Sequence, residues 1–151
     1  VSNAGTPTIS DPGFKLVREC IKEGIKVEAI PGPSAVLSAL VSSGLPTDKF
    51  LFLGFLPQKQ GKKEKLLESL KSASQSNNIA INNITIVFYE SPHRLPKTLI
   101  TLKEVFGDIE IVICRELTKV YEEVRREKVS ESIKHFEQVR PKGEFTIVFN
   151  V

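Results

Sequence analysis

Methionine and tryptophan are absent from this 151-residue chain, cysteine and histidine occur only twice each, and no apolar run approaches the ~20 residues of a membrane-spanning helix. Cys20 and Cys114 stand far apart, with no CxxC and no Cys/His cluster, which argues against a structural zinc site and points to a reducing compartment. With no span and no signal-peptide pattern, the expected location is the cytoplasm, with no membrane partner and no metal. The GxGxxG and GxxxxGKS/T fingerprints are missing too, so nothing favours a nucleotide phosphate. Neither sign of charge is in large excess. The net charge of +3 is compatible with nucleic acid without demanding it. Val1, in a chain without methionine, reads as the interior of a longer protein. Ser2-Asn3-Ala4 resembles a purification-tag scar, but such a scar would not follow Val1.

What is present is organised around residues 84–94, ITIVFYESPHR. Ile84, Thr85, Ile86, Val87, Phe88 and Tyr89 make an almost unbroken strand pattern, as for a strand buried on both faces in a parallel sheet covered by helices. The run stops at Glu90. Ser91 is expected to cap a helix and Pro92 to open it, since the missing proline N–H would be unpaired there anyway. Tyr89, Glu90, Ser91, His93 and Arg94 thereby gather where a strand's carboxyl end meets a helix start, the place where open α/β sheets bind ligands. Every strand-to-helix turn needs a cap, however, so this stretch alone leaves site and ordinary turn evenly matched.

Upstream, NAGTPTISDPG (residues 3–13) is a run of turn formers in which Asp11 is expected to cap a helix that Pro12 begins. Phe14, Val17 and Ile21 make that helix's apolar stripe, Gly24 its terminator, and residues 27–30 a short strand. A second tight turn, Pro31-Gly32-Pro33-Ser34, precedes a helix carrying Val36, Leu37, Leu40 and Val41. Small residues in both turns would let a ligand approach backbone N–H groups at helix starts; ordinary loop punctuation reads the same. Residues 44–48 are a candidate hinge. A strand at 50–53 and a turn at 54–57 follow, then Lys59, Lys62, Lys63 and Lys65 at the start of a helix with Leu66, Leu67 and Leu70. Lysines there oppose the helix dipole, so phosphate contact is one explanation and a solvated charged loop the commoner one.

Residues 72–83, rich in Ser and Asn, read as a surface loop. Leu95, Leu99, Leu102 and Phe106 mark a helix ended by Gly107. The strand at 109–114 runs into Arg115-Glu116-Leu117-Thr118-Lys119. An exposed edge strand at 121–128, a helix capped by Ser130 and a last strand at 145–151 complete the pattern. There is no internal repeat. The alternation gives an α/β fold with a boundary near residues 45–50.

Six stretches, NAGTPTISDPG, PGPSAVLSAL, GLPTDKFLFLGFLP, FYESPHR, RELTK and the closing GEF, resemble in order and spacing the ribosomal small-subunit RNA methyltransferase I family, over nearly the whole chain. Each is short; their fixed order makes the set specific. The resemblance implies a two-lobed, tetrapyrrole-methylase-like α/β fold with S-adenosylmethionine between the lobes. It implies methyl transfer to a cytidine ribose 2′-hydroxyl of 16S rRNA, presented on the small ribosomal subunit, by a homodimer. The family's opening strand and glycine-rich loop have no counterpart here. Residues 1–48 would then be the remainder of an N-terminal lobe, and 49–151 a complete C-terminal lobe. Asn3 stands where the family usually has Asp, and residues 72–83 are longer than their usual counterpart.

By the same resemblance, Asn3, Ala4, Gly5, Thr6 and Pro7, with Gly32, Ser34 and Ala35, would cradle the methionine part of the cofactor. Tyr89, Glu90, Leu117, Glu144 and Phe145 would surround its adenosine. A sulfonium methyl is already electrophilic, so alignment and exclusion of water carry most of the chemistry. A ribose hydroxyl is a poor nucleophile, and Glu90 and Glu116, at two strand ends, are candidate bases. Arg94, Arg115 and Lys119, with the four lysines, are candidates for phosphate contact or for lowering the hydroxyl's pKa. An ion pair between these carboxylates and cations is an equally good reading. Two rivals stand beside RNA methylation: a methylase of small tetrapyrroles on the same fold, and a non-catalytic RNA-binding or dimerisation fragment. FYESPHR, RELTK and the lysines favour RNA.

Overall fold

A computed structural model describes residues 5–75 and 83–151. Along them run α1 (Phe14–Lys22), α2 (Ala35–Ser43), β1 (Phe50–Phe55), α3 (Gln60–Gln75), β2 (Thr85–Glu90), α4 (Leu95–Phe106), β3 (Glu110–Arg115), β4 (Glu123–Lys128), α5 (Val129–Gln138) and β5 (Phe145–Asn150). The strands form one sheet in the order β1-β2-β5-β3-β4. The α/β class expected from the sequence is present; the parallel sheet is not. Only β1 and β2 are parallel, while β5 lies antiparallel between β2 and β3, and β4 is the antiparallel edge strand beside β3. A mixed sheet produces the same unbroken apolar runs, because both faces are covered. Ile86, Phe88, Ile111, Ile113, Ile147 and Phe149 meet Leu67, Leu95, Leu99 and Leu102 of α3 and α4 on one side. On the other side Val87, Val112, Cys114 and Val148 meet Val36, Ala39 and Leu40 of α2. Each fully buried aliphatic or aromatic side chain contributes about 1.5–3 kcal/mol by leaving water.

Around this sheet several local expectations shift. Residues 27–30 form no strand, and Ile30 is 84% exposed. So short a segment, interrupted by Glu28, cannot become a strand without a neighbour to take its N–H and C=O groups. The stripe of α1 is real but uncovered: the helix has no buried residue, and Phe14, Leu16 and Ile21 are all exposed. Asp11 and Pro12 do not start α1; Gly13 occupies its N-cap position, with no side-chain cap. Ser34 does cap α2, accepting from the Leu37 N–H at 3.5 Å, and Gly44 ends it in the left-handed conformation.

At the central corner, α4 begins at Leu95 rather than Pro92. The N–H groups of Arg94 and Leu95 both donate to the Ser91 carbonyl at 3.0 Å, making one extra turn before the helix. Ser130 is not a cap either. Its N–H and hydroxyl both donate to Asp108 at 2.8 Å, so Asp108 does the capping from outside α5. The loop expected at 72–83 starts late, since α3 continues to Gln75; residues 76–82 lie outside the described residues.

Candidate functional site

Where β2 and β3 end and β5 begins, a cavity of about 560 Å³ opens. Its walls come from both upstream turns, from the corner after β2 and from the loops around β3 and β5. The turns clasp each other: the Thr6 N–H donates to the Pro33 carbonyl at 2.8 Å and its hydroxyl does so at 3.1 Å. Gly5 sits at φ +70, and a Cβ there would lie 3.1 Å from the Pro33 oxygen. Only glycine accepts both constraints without strain. Opposite them, the Tyr89 ring is held between Phe52 and Phe55, with ring centres 5.0 and 5.5 Å away. Burial pushes the Tyr89 phenol up, against a hydrogen bond to the Val36 backbone, so the ring is a neutral wall.

Of the residues expected at the cofactor, Gly5, Thr6, Ser34, Ala35, Tyr89, Glu90, Leu117, Glu144 and Phe145 share this cavity. Pro7 and Gly32 do not line it, and Asn3 and Ala4 lie outside the described residues. Sequence reasoning missed Ile9, Ser10, Asp11, Phe55, Thr118 and Gly143. Asp11 was masked by its resemblance to a helix cap. Thr118 and Gly143 are direct neighbours of expected residues, which was the available signal.

Glu90 closes the back of the cavity and is 1% exposed. One carboxylate oxygen accepts the Ser91 N–H at 2.9 Å and pairs with Arg94 Nε at 3.2 Å; the other accepts the Thr98 hydroxyl at 2.7 Å. Thr98 in turn accepts from Lys63 Nζ at 2.8 Å. Arg94 also reaches the carbonyls of Leu56 and Pro57, at 2.5 and 3.2 Å. This corrects the phosphate reading of Lys63, which is 3% exposed and engaged behind the sheet. Burial lowers the Lys63 pKa, with Glu90 opposing. Lys59, Lys62 and Lys65 remain exposed near the start of α3. A second groove, of about 610 Å³ between α3 and α4, has Lys63 and Arg94 in its wall, so the network separates two concavities.

Glu116 behaves differently. Its Oε1 accepts the Glu144 N–H at 2.8 Å and Lys119 Nζ at 3.1 Å, and Lys119 also pairs with Glu144 at 2.8 Å. The Glu144 N–H, then Lys119, hold the Glu116 carboxyl below its usual range, which makes it a weaker base. Arg115 is taken by the Lys142 carbonyl at 2.8 Å and Glu123 at 3.3 Å. The ion-pair reading therefore describes both carboxylates, and Arg94, Arg115 and Lys119 are occupied internally. Cys114 is buried and its thiol is pushed up to about 11, which removes it as a nucleophile. Among the described residues no cluster of His, Cys, Asp and Glu could hold a metal, and no helix is long and apolar enough to cross a membrane.

These shifts predict an acid response. Glu116 and Asp108 both have folded pKa values below their ordinary 4.5 and 3.8, so the folded state binds fewer protons than the unfolded one. Their contribution to stability is complete above those ordinary values and is lost as pH falls through them toward the folded values. The urea midpoint should be level from about pH 7 to 5.5 and fall below about pH 4.5. Glu116→Gln with Asp108→Asn should flatten that fall; an unchanged acid limb would mean these bonds contribute nothing.

The sequence profile of the Tetrapyrrole (Corrin/Porphyrin) Methylases matches residues 1–132. The ribosomal RNA small subunit methyltransferase I of Thermotoga maritima is 50% identical over 150 residues, covering 99% of this chain and 63% of that protein. Its counterpart in Bacillus subtilis is 44% identical over 148 residues, 98% of this chain and 48% of that protein. The chain thus spans between 48% and 63% of the length of these relatives. Among solved structures, the methyltransferase CobJ superposes with a TM-score of 0.65 at 17% identity, over 97% of this chain and 62% of that one. A uroporphyrin-III C-methyltransferase of Thermus thermophilus, complexed with S-adenyl homocysteine, superposes with a TM-score of 0.56 at 17% identity, over 95% and 62%. At such identities the structures speak for the fold, and the profile speaks for descent: the chain belongs to the tetrapyrrole (corrin/porphyrin) methylase family.

Proposed function

We propose that the protein containing this chain transfers methyl from S-adenosylmethionine to a cytidine ribose 2′-hydroxyl of 16S rRNA. The observation that carries this reading is the cavity itself, where two small-residue turns face an aromatic strand end. Its chemistry fits the group. Tyr89, Phe55, Leu117 and Phe145 offer an apolar wall for a base, while Thr6, Ser34 and Asp11 supply polar groups for an amino-acid end. When bound, S-adenosylmethionine supplies an electrophilic methyl. Gly5, Thr6, Ser34 and Ala35 would hold the amino-acid end. Tyr89, Leu117, Glu144 and Phe145 would enclose the adenosine and exclude water.

Glu90 and Glu116 serve here as positioning residues rather than bases, because their oxygens already hold the Ser91 and Glu144 N–H groups at the cavity's edge. RNA is favoured over a tetrapyrrole by the names of the relatives and by the exposed Lys59, Lys62 and Lys65, which would meet phosphates. The reading includes a cytoplasmic homodimer acting on the small ribosomal subunit. The tetrapyrrole alternative shares the same fold, so the substrate has to be decided by experiment. Full-length protein, labelled cofactor, and either small subunits or uroporphyrinogen separate the two. Label on RNA ribose is expected; label on the porphyrinoid and never on RNA would reject this reading.

A further inference from the structure

The loop joining β3 to β4 turns its most apolar side chains into water. Val120 is 94% exposed and Tyr121 71%, yet the loop is braced rather than slack. Glu116 and Thr118 hold left-handed backbone, at φ 47 and 66, which non-glycine residues avoid unless their surroundings impose it. The Thr118 N–H donates to the Glu122 carboxylate at 2.5 Å, and the Lys119 and Glu122 N–H groups close turns onto Glu116 and Lys119. Lys119 then pins the loop to Glu144. The acids of this tip are consumed internally: Glu122 by Thr118, and Glu123 by Arg115 and Arg125. Beside it, the connection between α5 and β5 presents Arg140 and Lys142, both exposed and, among the described residues, without a side-chain ion pair. The same loop that displays Tyr121 lends Leu117, Thr118 and Lys119 to the cavity wall.

An exposed aromatic ring on a hydrogen-bonded loop, beside a segment that carries exposed cations, is what single-stranded nucleic acid binds: bases stack on the ring while the cations follow the backbone. We propose that Tyr121, with Val120 beside it, stacks on an unpaired base of the RNA next to the nucleotide whose ribose enters the cavity, and that Arg140 and Lys142 take the flanking phosphates. This rests on the RNA reading above. A ribosomal protein is the less favoured occupant, because the apolar area is two side chains wide and is flanked by cations.

Titration of a labelled single-stranded RNA oligonucleotide with the full-length protein should raise the label's fluorescence anisotropy, and a duplex of the same sequence should bind less tightly. Tyr121→Ala should weaken single-strand binding about tenfold or more, and Tyr121→Phe should bind within about twofold of the unaltered chain. Arg140→Gln with Lys142→Gln should reduce the slope of log affinity against log salt by about 1.4. Wild-type affinity in Tyr121→Ala, with RNA still bound, would overturn the stacking proposal and leave the RNA reading intact. No RNA binding by the unaltered full-length protein would count against both. A Tyr121→Ala defect on whole small subunits but not on naked RNA would make the occupant a protein and reject the proposal.

Discussion

Glu90→Ala should lower the unfolding free energy by about 3–5 kcal/mol, the cost of removing one member of a buried charged pair. The carboxylate is fully enclosed and engages Ser91, Thr98 and Arg94, with Lys63 one hydroxyl further on. Alanine would leave Lys63 buried against a threonine with no acceptor behind it, and would free the corner where β2 enters the turn before α4. Urea unfolding reads the loss directly. Glu90→Leu combined with Lys63→Met is the informative partner. Replacing buried charges by apolar groups of similar size is often neutral or better, so much of the loss should return. The cavity should not recover with it, because the Ser91 N–H would still lack its acceptor. A cost for Glu90→Ala below about 1 kcal/mol would place the network's value elsewhere than in stability.

The second large effect is expected at Gly143. Its φ is +89, and an added Cβ would fall 2.6 Å from Glu116 Cγ and 2.8 Å from its carboxylate. The Glu116 side chain cannot simply move aside, because Lys119 and the Glu144 N–H hold it. Gly143→Ala should therefore cost about 1–3 kcal/mol in backbone strain alone and should loosen the Glu116 clamp on the cavity wall. Calorimetry of the full-length protein with S-adenosylmethionine should show affinity reduced about tenfold, or about 1.4 kcal/mol. Gly61→Ala is the control. It is the second residue of α3, with nothing within 4 Å of the added carbon, and should leave stability unchanged or raise it by up to about 0.5 kcal/mol. If both changes behave alike, the crowding at Gly143 is of no consequence.

The strands were largely legible because burial on both faces writes itself as continuous apolar runs, as in Ile86, Val87 and Phe88 or Ile111, Val112 and Ile113. Their pairing was not. Nothing local in residues 145–150 says that this strand slots antiparallel between β2 and β3, since direction is set by partners far away in the chain. Caps were misread where a long-range acceptor intervened. Ser91 looked like a helix start, but Glu90 holds its N–H and Arg94 reaches across to Leu56, so the chain turns once more before α4. The two small-residue turns were legible from composition, yet the closeness of Thr6 to Pro33 was not, because it spans a helix and an irregular segment. Lys63 shows the limit of charge patterning: among four lysines in one stretch, sequence gives no sign of which one faces inward.

The place of β5 also dictates when the sheet can exist. Among the described residues it follows the other four strands in chain order and is the one that joins β1–β2 to β3–β4, by the Val87–Val148 and Val112–Val148 registers. Before it arrives, those halves are two-stranded ribbons with apolar edges open, and two-stranded ribbons are marginal in water. During synthesis, then, β1 to β4 emerge without their shared neighbour, and cooperative closure of this sheet waits for residues 145–150. Such non-local closure is slow, and the open edges of β2 and β3 are the surfaces on which unfinished chains would pair with one another.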